Sequence, residues 1–335
     1  MSTAVGTARF DQFVMVDWSA ASTPKRGADS VWVAHADAPA PGCSASRLVV
    51  STDNPPTRHE AEAVVAALVR AALDRGQTTL VGLDFSFGYP AGFAEVTAGL
   101  RPASESAVGS AGKSPWRGTW DLLAGLVHDS PDNTNDRFEA ADSMNGSTGI
   151  RLFWGRPQGG RHDRLAHLPA KDIVPGGMAP NPCARLRLAE QLAGSGIKSA
   201  FQLFGRGTVG GQVLVGIPWL CRLVSRFDQA VAVWPFETGF VADPLAGQVT
   251  GPRAWGAPTG PVPRVVIAEI WPSAFPLDAS VSPIRDEAQV VSTLRAMADR
   301  QQAGWGRWFD PPSVGTSGSV RHSALEEEGW ILGVH

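Results

Sequence analysis

The spacing of hydrophobic and polar positions predicts short strands at the start of the chain. Apolar segments rich in β-branched residues occupy positions 13–16 (FVMV), 30–34 (SVWVA) and 47–51 (RLVVS). Turns that contain Ser, Pro, Gly and Asp separate these segments, and such turns typically bound strands. Because the connections are short, the spacing favours an antiparallel arrangement of the three strands.

A helix is predicted next, between Thr57 and Gly76. Thr57 is placed to cap its first turn, Glu60 completes a capping box three residues later, and Gly76 is placed to end the helix. Apolar residues at positions 64, 65, 68 and 73 recur at helical spacing. This is the most regular helical pattern in the chain.

The remaining pattern alternates between strands and helices around one long irregular stretch. Apolar runs within 78–90, 230–234 and 265–270 predict strands, and an apolar stripe at 283–300 predicts a final helix. Residues 91–184 are rich in Gly, Pro, Ser, Asn and Trp, and we expect a loop-rich insertion or subdomain rather than part of the core. The order predicts an α/β fold with a mixed sheet, in which three antiparallel strands are followed by parallel ones and helices flank the sheet.

The composition is that of a globular protein. The chain has 335 residues, of which 43% are hydrophobic and 18% are charged. This length fits one domain with a large insertion as well as two domains, and we interpret residues 1–335 as a single domain. No apolar run approaches the roughly 20 residues that span a bilayer, and the amino terminus lacks a basic region followed by an apolar one. We therefore expect a cytoplasmic protein with no membrane partner.

Charge is distributed unevenly along the chain. The net charge is -3, so the strongly basic balance of many nucleic-acid-binding proteins is absent. Residues 151–206 nevertheless contain nine Lys or Arg against three Asp or Glu, whereas residues 101–150 contain four against seven. The glycine-rich segment "GIKSAFQLFGRGTVGGQ" offers Lys198 and Arg206 as phosphate-binding groups. The same glycines also suit turns and close packing.

Carboxylates follow three of the predicted strands. Asp17 and Asp84 each end an apolar run and precede an aromatic residue and a serine, and Glu269 ends a third apolar run. Asp286 lies in the first turn of the last helix, four residues before Val290, on the packed side. If these elements meet at one sheet edge, the four carboxylates converge and repel one another unless a divalent cation binds them. Mg²⁺ or Mn²⁺ is the kind of ion that such oxygen ligands prefer.

These motifs resemble a known family. The order of three strands, a helix and a strand, with acids on the first and fourth strands and near a late helix, resembles the ribonuclease-H-like fold. The segments "MVDWSA", "VGLDFSFGYP", "SAFQLFGRGTVGGQVLVGIPWL", "AEIWPS" and "EEEGWILGV" resemble the bacterial domain-of-unknown-function family 429. Its members are described as predicted ribonuclease-H-like nucleases, and relatives are sometimes labelled cobalamin-biosynthesis or molybdopterin-dinucleotide proteins. Many relatives have an Asp-rich "DALDA"-type helix where this chain has "RDEAQV".

The resemblance covers most of the chain and is weakest between about residues 100 and 183. It implies that Asp17 and Asp84 are the acids of the strands, and Glu269 and Asp286 match less closely. Together with the acidic pattern, it predicts a metal-dependent hydrolase of phosphodiester or phosphoanhydride bonds, a nuclease acting on small or single-stranded nucleic acid. The predicted catalytic and metal-binding residues are Asp17, Asp84, Glu269 and Asp286. The predicted pocket residues are Ser19, Ser86, Gln202 and Gln212.

Each acid also has a structural interpretation. Asp17 and Asp84 could cap the turns that follow their strands, Glu269 could pair with an arginine such as Arg264, and Asp286 could complement the helix dipole. Tryptophans in Gly/Pro/Arg-rich segments either stack on bases or seal loops onto the core. Two other functions are therefore left open: a phosphohydrolase acting on a nucleotide-bearing cofactor precursor, and a non-catalytic binding module whose acids are structural.

Overall fold

The computed structural model describes residues 8–100, 114–157, 161–166, 177–194, 196–246, 262–316 and 318–335. The strands of its main sheet are β1 Gln12–Asp17, β2 Trp32–Asp37, β3 Ser51–Asp53, β4 Thr79–Leu83, β7 Val231–Val233 and β8 Val265–Glu269. They lie in the order β3-β2-β1-β4-β8-β7. The first three are antiparallel, whereas β4, β8 and β7 run parallel to β1. The predicted mixed α/β sheet is confirmed.

Helices flank this sheet, and two further strands, β5 Ile150–Arg151 and β6 Ala179–Pro180, pair with each other away from it. The described helices are α1 Arg58–Asp74, α2 Phe93–Val96, α3 Pro115–Leu126, α4 Arg137–Thr148, α5 Leu188–Ala193, α6 Gly210–Phe227, α7 Arg285–Ala303 and α8 Ser319–Ser323. In the part of the chain that the structure describes, no helix combines the length and hydrophobicity needed to cross a bilayer.

The two faces of the main sheet carry different helices. Consecutive side chains of a strand point to opposite faces. Val14 and Val16 of β1 join a core cluster that contains residues of α1 and α6, whereas Phe13 and Met15 join a cluster that contains residues of α7. We call these two sides the α6 face and the α7 face. Each strand of the parallel half is therefore buried on both sides, which explains its nearly continuous apolar sequence.

Helix α1 forms as its sequence predicts. The Thr57 hydroxyl oxygen accepts a hydrogen bond from the N–H of Glu60 at 3.2 Å, which satisfies one of the free donors of the first turn. Gly76 follows the helix with a φ of +69°, a conformation that glycine adopts without steric cost. The predicted cap at Thr57 and end at Gly76 are confirmed, whereas the described residues show no bond from the Thr57 N–H to the Glu60 side chain that would complete the capping box.

The third strand lies further along the chain than predicted. Residues 45–47 form a 3₁₀ turn, in which the hydroxyl oxygen of Ser44 accepts from the N–H of Ser46 at 3.3 Å. Val49 is 86% exposed, and pairing with β2 begins only at Ser51. The bounds 47–51 are wrong because a local serine cap competes with extended pairing.

The last helix also begins later than predicted, at Arg285 rather than at position 283. The hydroxyl of Ser282 accepts from the N–H of Ile284 at 3.1 Å and donates to Glu287 at 2.6 Å. These bonds brace the turn before α7, whose N-cap is Ile284, and Pro283 lies outside the helix. Asp286 remains in the first turn, as expected.

Two helices of the predicted insertion belong to the core. Helix α3 packs on α6 and buries Trp120 and Leu123 completely, and α4 buries Met144 in the same cluster. The expectation that residues 91–184 lie outside the core is wrong for these helices, because their aromatic side chains supply buried apolar area. Residues 101–113, 158–160 and 167–176 lie outside the described residues.

Gly216 gives a test of how closely α6 packs on the loop after β4. A Cβ atom at this position would lie 2.8 Å from carbon atoms of the Phe85 ring. We expect Gly216→Ala to lower the free energy of unfolding by about 1–3 kcal/mol, because overpacking outweighs the helix propensity that alanine adds. Gly125→Ala in α3 is the matched control, since no atom lies within 4 Å of its added Cβ. Urea unfolding measures both, and a Gly216→Ala variant as stable as Gly125→Ala would contradict the packing.

Candidate active site

Asp17 and Asp84 lie side by side at the ends of two neighbouring strands. Strands β1 and β4 pair in parallel with Val16 opposite Leu83, and the N–H of Asp84 donates to the carbonyl of Val16 at 3.0 Å. Each aspartate directly follows one member of this residue pair and is half-buried. The carboxyl ends of parallel strands are where open α/β sheets bind ligands. The two acids therefore share one sheet edge, as the repeated sequence pattern predicts.

Helix α7 brings a third acid to Asp17. The carboxylate of Asp286 accepts a hydrogen bond from the N–H of Asp29 at 2.6 Å. Asp29 precedes β2 and has a φ of +53°, a left-handed conformation that aspartate tolerates better than most residues. The charge of Asp286 is one of the causes that raise the pKa of Asp17. Asp286 thus both braces the turn before β2 and adds negative charge at the sheet edge.

The electrostatics of the paired aspartates are unfavourable. Burial raises the pKa of Asp17 well above its usual range, and the charges of Asp84, Asp286 and Asp29 raise it further. Burial also raises the pKa of Asp84, to about 7, and Glu269 adds to this shift. Among the described residues, neither Asp17 nor Asp84 has a lysine or arginine partner. A cation bound here would relieve the repulsion.

Glu269 faces the other side of the sheet. It pairs with Leu83, whose side chain belongs to the cluster of the α6 face, so strand alternation places Glu269 on that face too. Asp17 follows Val16 and by the same alternation points to the α7 face. Because Asp17 lies one residue further along its strand than Glu269 does, the register argues against one ligand set that contains both.

The partner of Glu269 is Arg187, which is fully buried. Two parallel hydrogen bonds join them: Nη2 to Oε1 at 2.5 Å and Nη1 to Oε2 at 2.8 Å. Burial raises the pKa of Glu269, and the Arg187 charge acts in the opposite direction. The suggested partner Arg264 instead donates to the carbonyl of Gly76. The salt-bridge interpretation of Glu269 is therefore the correct one, with a different arginine.

Arg187 organises the residues around it. Its Nε donates to Glu190 at 2.9 Å, Nη2 donates to the hydroxyl of Ser86 at 2.9 Å, and Nη1 donates to the carbonyl of Glu328 at 2.8 Å. Burial lowers the pKa of Arg187, but the charges of Glu269 and Glu190 outweigh burial and raise it. The guanidinium thereby fixes Ser86, two residues after Asp84.

Glutamates 327 and 328 hold the loop that follows Ser86. The Glu327 carboxylate accepts from the N–H groups of Gly92 and Ala94, at 2.9 and 2.7 Å. The Glu328 carboxylate accepts from the N–H of Ala91 at 2.9 Å and from that of Leu188 at 2.6 Å. These bonds satisfy backbone donors of α2 and α5 at the same time. The position of the loop after β4 therefore depends on a segment far away in sequence.

A cavity of about 320 Å³ opens beside Asp84. Lys198 lines it, is half-buried and forms no hydrogen bond or ion pair with a described residue. A lysine in this position is free to meet an anion. The cavity is lined by residues that include Asp84, Ser86, Arg187, Glu190, Lys198 and Glu269. Four of the residues predicted from the sequence thus meet here, although Asp17 lies beside the cavity rather than in its wall.

Ser19 and Gln212 have structural roles. The Ser19 hydroxyl donates to the carbonyl of Asp29 at 3.1 Å, and the side-chain amide of Gln212 donates to the carbonyl of Trp18. Both bonds brace the backbone next to Asp17. Neither residue lines the cavity, so their predicted role as pocket residues is not supported.

Gln202 and Arg206 also lie away from the cavity wall. The carbonyl of Gln202 accepts from the N–H of Gly210 at 3.1 Å, which places Gln202 in the turn that leads into α6. Arg206 is exposed, although its neighbour Gly207 lines the cavity. Of the two predicted phosphate-binding residues, the structure brings only Lys198 to Asp84.

The most connected residue of the site, Arg187, was not among the predicted ones. A weak signal exists in the sequence, because Arg187 precedes Glu190 by three residues at the start of the short apolar segment "LAEQLA". Charged residues so placed are usually solvated, and only the fold shows that this pair is buried. The partner Glu269 lies 82 positions further along the chain.

A preformed metal cage is absent from the described residues, since no group of three or more His, Cys, Asp and Glu side chains is arranged to hold an ion. Two neighbouring carboxylates are nevertheless enough for Mg²⁺, which commonly takes one or two protein carboxylates and keeps several waters. The donor set of Asp17 and Asp84 fits such an ion chemically, because both ligands are oxygens and their charge is uncompensated.

Comparison of the chain with protein-family models, with curated proteins and with solved structures gave no match. The resemblance to the domain-of-unknown-function family 429 and to the ribonuclease-H-like fold stays a prediction. The residues of the site are therefore the evidence for its chemistry.

Removal of Arg187 tests the buried network. In Arg187→Met, Glu269 and Glu190 lose their counter-charge, and we expect the free energy of unfolding to fall by about 3–5 kcal/mol. The matched control is Arg222→Met, because Arg222 pairs with Glu62 but has a side chain that is 44% exposed, and such pairs contribute at most about 1 kcal/mol. Denaturant unfolding compares the two variants. Equal losses would show that the Arg187 network contributes no more than a surface pair.

The pKa of Asp84 predicts a stability that depends on pH. Folding raises this pKa from 3.8 to about 7, so the protonated side chain is favoured in the folded state. The stability linked to that proton is complete below pH 3.8 and is lost as the pH rises to about 7. Replacing Asp84 by asparagine removes the loss. We therefore expect the stability of Asp84→Asn relative to wild type to increase between about pH 4.5 and 8 in EDTA.

Urea unfolding at several pH values measures this difference. Asp278→Asn is the control: hydrogen bonds from Ser280 lower the pKa of Asp278, so its stabilising effect is already complete above the ordinary aspartate pKa of 3.8. The stability of Asp278→Asn relative to wild type should therefore stay constant over the same range. If the Asp84→Asn difference is equally flat, Asp84 is not destabilised by ionisation.

Proposed function

We propose that this protein is a metal-dependent hydrolase of phosphodiester or phosphoanhydride bonds with a ribonuclease-H-like sheet. The observation that carries the proposal is the pair Asp17 and Asp84 at the ends of adjacent parallel strands, with raised pKa values and no cationic partner among the described residues. The strand order, antiparallel up to β1 and parallel beyond it, supports the assignment of the fold.

Asp17 and Asp84 would hold Mg²⁺ or Mn²⁺, with Asp286 as a third acid close to Asp17. When bound, such an ion activates a water molecule and stabilises the leaving oxygen. Glu269, predicted as a ligand, becomes a positioning residue in this proposal, because both of its oxygens accept hydrogen bonds from Arg187. The ligand set is thus smaller than the four acids expected from the sequence.

The other residues of the cavity bind and orient the substrate. Lys198 would neutralise charge on a phosphate group, since its ammonium is not used by another described residue. Arg187 is not available for that purpose, because all its N–H groups donate to protein acceptors. Its role is to keep Ser86 and the loop after β4 in place while Asp84 acts.

The size of the cavity favours a small substrate. Its volume of about 320 Å³ lies at the lower end of the ~300–1,000 Å³ of small-molecule sites. The net charge of -3 also argues against a long duplex, which a basic protein surface would bind. A phosphohydrolase acting on a nucleotide-bearing cofactor precursor is therefore the second candidate, alongside a nuclease acting on short single strands.

Hydrolysis assays with Mg²⁺ or Mn²⁺ test the proposal. We expect wild type to cleave short single-stranded oligonucleotides or pyrophosphate-bridged dinucleotides, and EDTA to abolish the activity. Asp17→Asn and Asp84→Asn should each lower the rate by more than about 100-fold, which exceeds what loss of an outer-shell partner costs. Asp37→Asn, an exposed acid at the end of β2, should leave the rate unchanged.

Full activity in Asp17→Asn or in EDTA would contradict metal-dependent hydrolysis. Binding of these compounds without any turnover would instead support the non-catalytic binding module, whose acids are structural. Circular dichroism of each variant distinguishes a lost ligand from a lost fold.

A further inference from the structure

A second cavity, of about 250 Å³, lies next to the strand pair β5–β6. Nothing in the proposed hydrolysis uses it. Its wall combines two arginines, an indole, a phenyl ring and small polar groups. The residues that give it this character are Arg151, Arg185, Trp154, Phe201, Asn181 and Ser199.

The described residues provide no carboxylate partner for the arginines of this cavity. Arg151 is half-buried, and its Nε atom is buried without a hydrogen-bond partner. Arg185 is exposed and forms no ion pair with a described residue, but its guanidinium lies 5.8 Å from the centroid of the Trp154 ring. No acid is among the described residues that line the cavity. A buried donor without an acceptor is costly, so an anionic ligand is the group that this wall lacks.

The aromatic part of the wall selects a flat ring. Trp154 is 8% exposed and Phe201 is buried, so the rings are held rigidly by the core. Rigid aromatic side chains next to arginine guanidinium groups form stacking surfaces for bases. Cys183 also lines the cavity, but burial raises its pKa to about 11, so the thiol stays protonated and does not act as a nucleophile. The cavity is a binding site rather than a second reactive centre.

The two cavities are lined by neighbouring residues of the same two chain segments. Gly196, Ile197 and Lys198 line the first cavity, and Ser199, the next residue, lines the second. The segment from Asn181 to Arg187 also contributes to both cavities. Arg185 lines the second cavity, and Arg187 lines the one beside Asp84. The segment that contributes Ser199 to the second cavity thus also carries Lys198.

We infer that the second cavity binds a nucleoside monophosphate unit, with its phosphate between Arg151 and Arg185 and its base against Trp154. This inference rests on the proposed function in one respect: the bound unit is then part of the substrate whose scissile phosphate lies at Lys198 and Asp84. The volume of about 250 Å³ lies just below the ~300–1,000 Å³ of small-molecule sites, which leaves room for at most one such unit and excludes an oligomer. The unit belongs either to a pyrophosphate-bridged dinucleotide or to the end of a short nucleic acid.

Calorimetric titration with AMP in EDTA tests the cavity separately from metal-dependent chemistry. We expect AMP to bind wild type, and Arg151→Gln and Arg185→Gln each to weaken the binding about tenfold or more, because each loses a charge-assisted contact. Arg185 is exposed, so its variant is expected to fold even if Arg151→Gln does not. Arg161→Gln, an exposed arginine of the same basic segment that lines neither cavity, should bind AMP as wild type does.

Two further ligands separate the sources of the nucleotide unit. Diadenosine pyrophosphate and a 5′-phosphorylated dinucleotide of adenosine are titrated in the same way. The ligand whose binding is weakened by Arg185→Gln identifies the source of the nucleotide unit. Absence of AMP binding, or equal AMP binding by wild type, Arg151→Gln and Arg185→Gln, would overturn the inference. Equal weakening in Arg161→Gln would also overturn it, since the effect would then be non-specific charge.

The two proposals can fail independently. Asp84→Asn should bind AMP normally, because Asp84 lines only the first cavity. Methyl p-nitrophenyl phosphate, a small diester without a nucleotide, reports hydrolysis alone. If AMP binding depends on Arg185 but no substrate is hydrolysed, the proposed function fails and the cavity assignment stands. If the small diester is hydrolysed but AMP does not bind, the reverse holds.

Discussion

Five hydrogen bonds from one buried guanidinium connect the parts of this protein that surround Asp84. Arg187 reaches the end of β8 through Glu269, the loop after β4 through Ser86, the start of α5 through Glu190 and the turn at Glu328 through its carbonyl. A buried ion pair adds little net stability compared with apolar packing, but removal of one partner leaves an uncompensated charge. The arrangement therefore specifies geometry more than it adds stability.

The carboxylates at the sheet edge fall into two groups with opposite electrostatics. Glu269 has a cation in contact with both of its oxygens, whereas Asp17 and Asp84 repel each other with no positive side chain paired to either among the described residues. The charge of Glu269 is compensated by its partner, whereas ionisation of Asp17 and Asp84 costs stability at neutral pH. Proteins retain such unfavourable groups mainly where function requires them. This contrast, rather than the number of acids, distinguishes the candidate catalytic residues from the structural one.

The sequence predicts the elements better than it predicts contacts between them. Helix α1 and the strands that end on Asp17 and Asp84 follow from local pattern and capping, and their shared edge follows from the parallel crossover. The side of the sheet that Glu269 faces depends on register, which a single sequence does not reveal. The third strand was displaced by a serine cap, and Arg187 was missed because its burial arises only from residues distant in sequence.

The bonds from Glu327 and Glu328 to the loop after β4 have a consequence for how the protein is made. Ala91 and its acceptor on Glu328 are 237 positions apart, so this loop cannot be closed while the ribosome is still producing the intervening chain. Contacts of such long range form late, because the entropy of closing the loop is lost before the contact compensates for it. Strands β1 to β4 can pair before β7 and β8 are synthesised, but Arg187 reaches its final position only after residue 328 has been synthesised. The order of synthesis thus separates the pairing of β1 to β4 from the completion of the cavity beside Asp84.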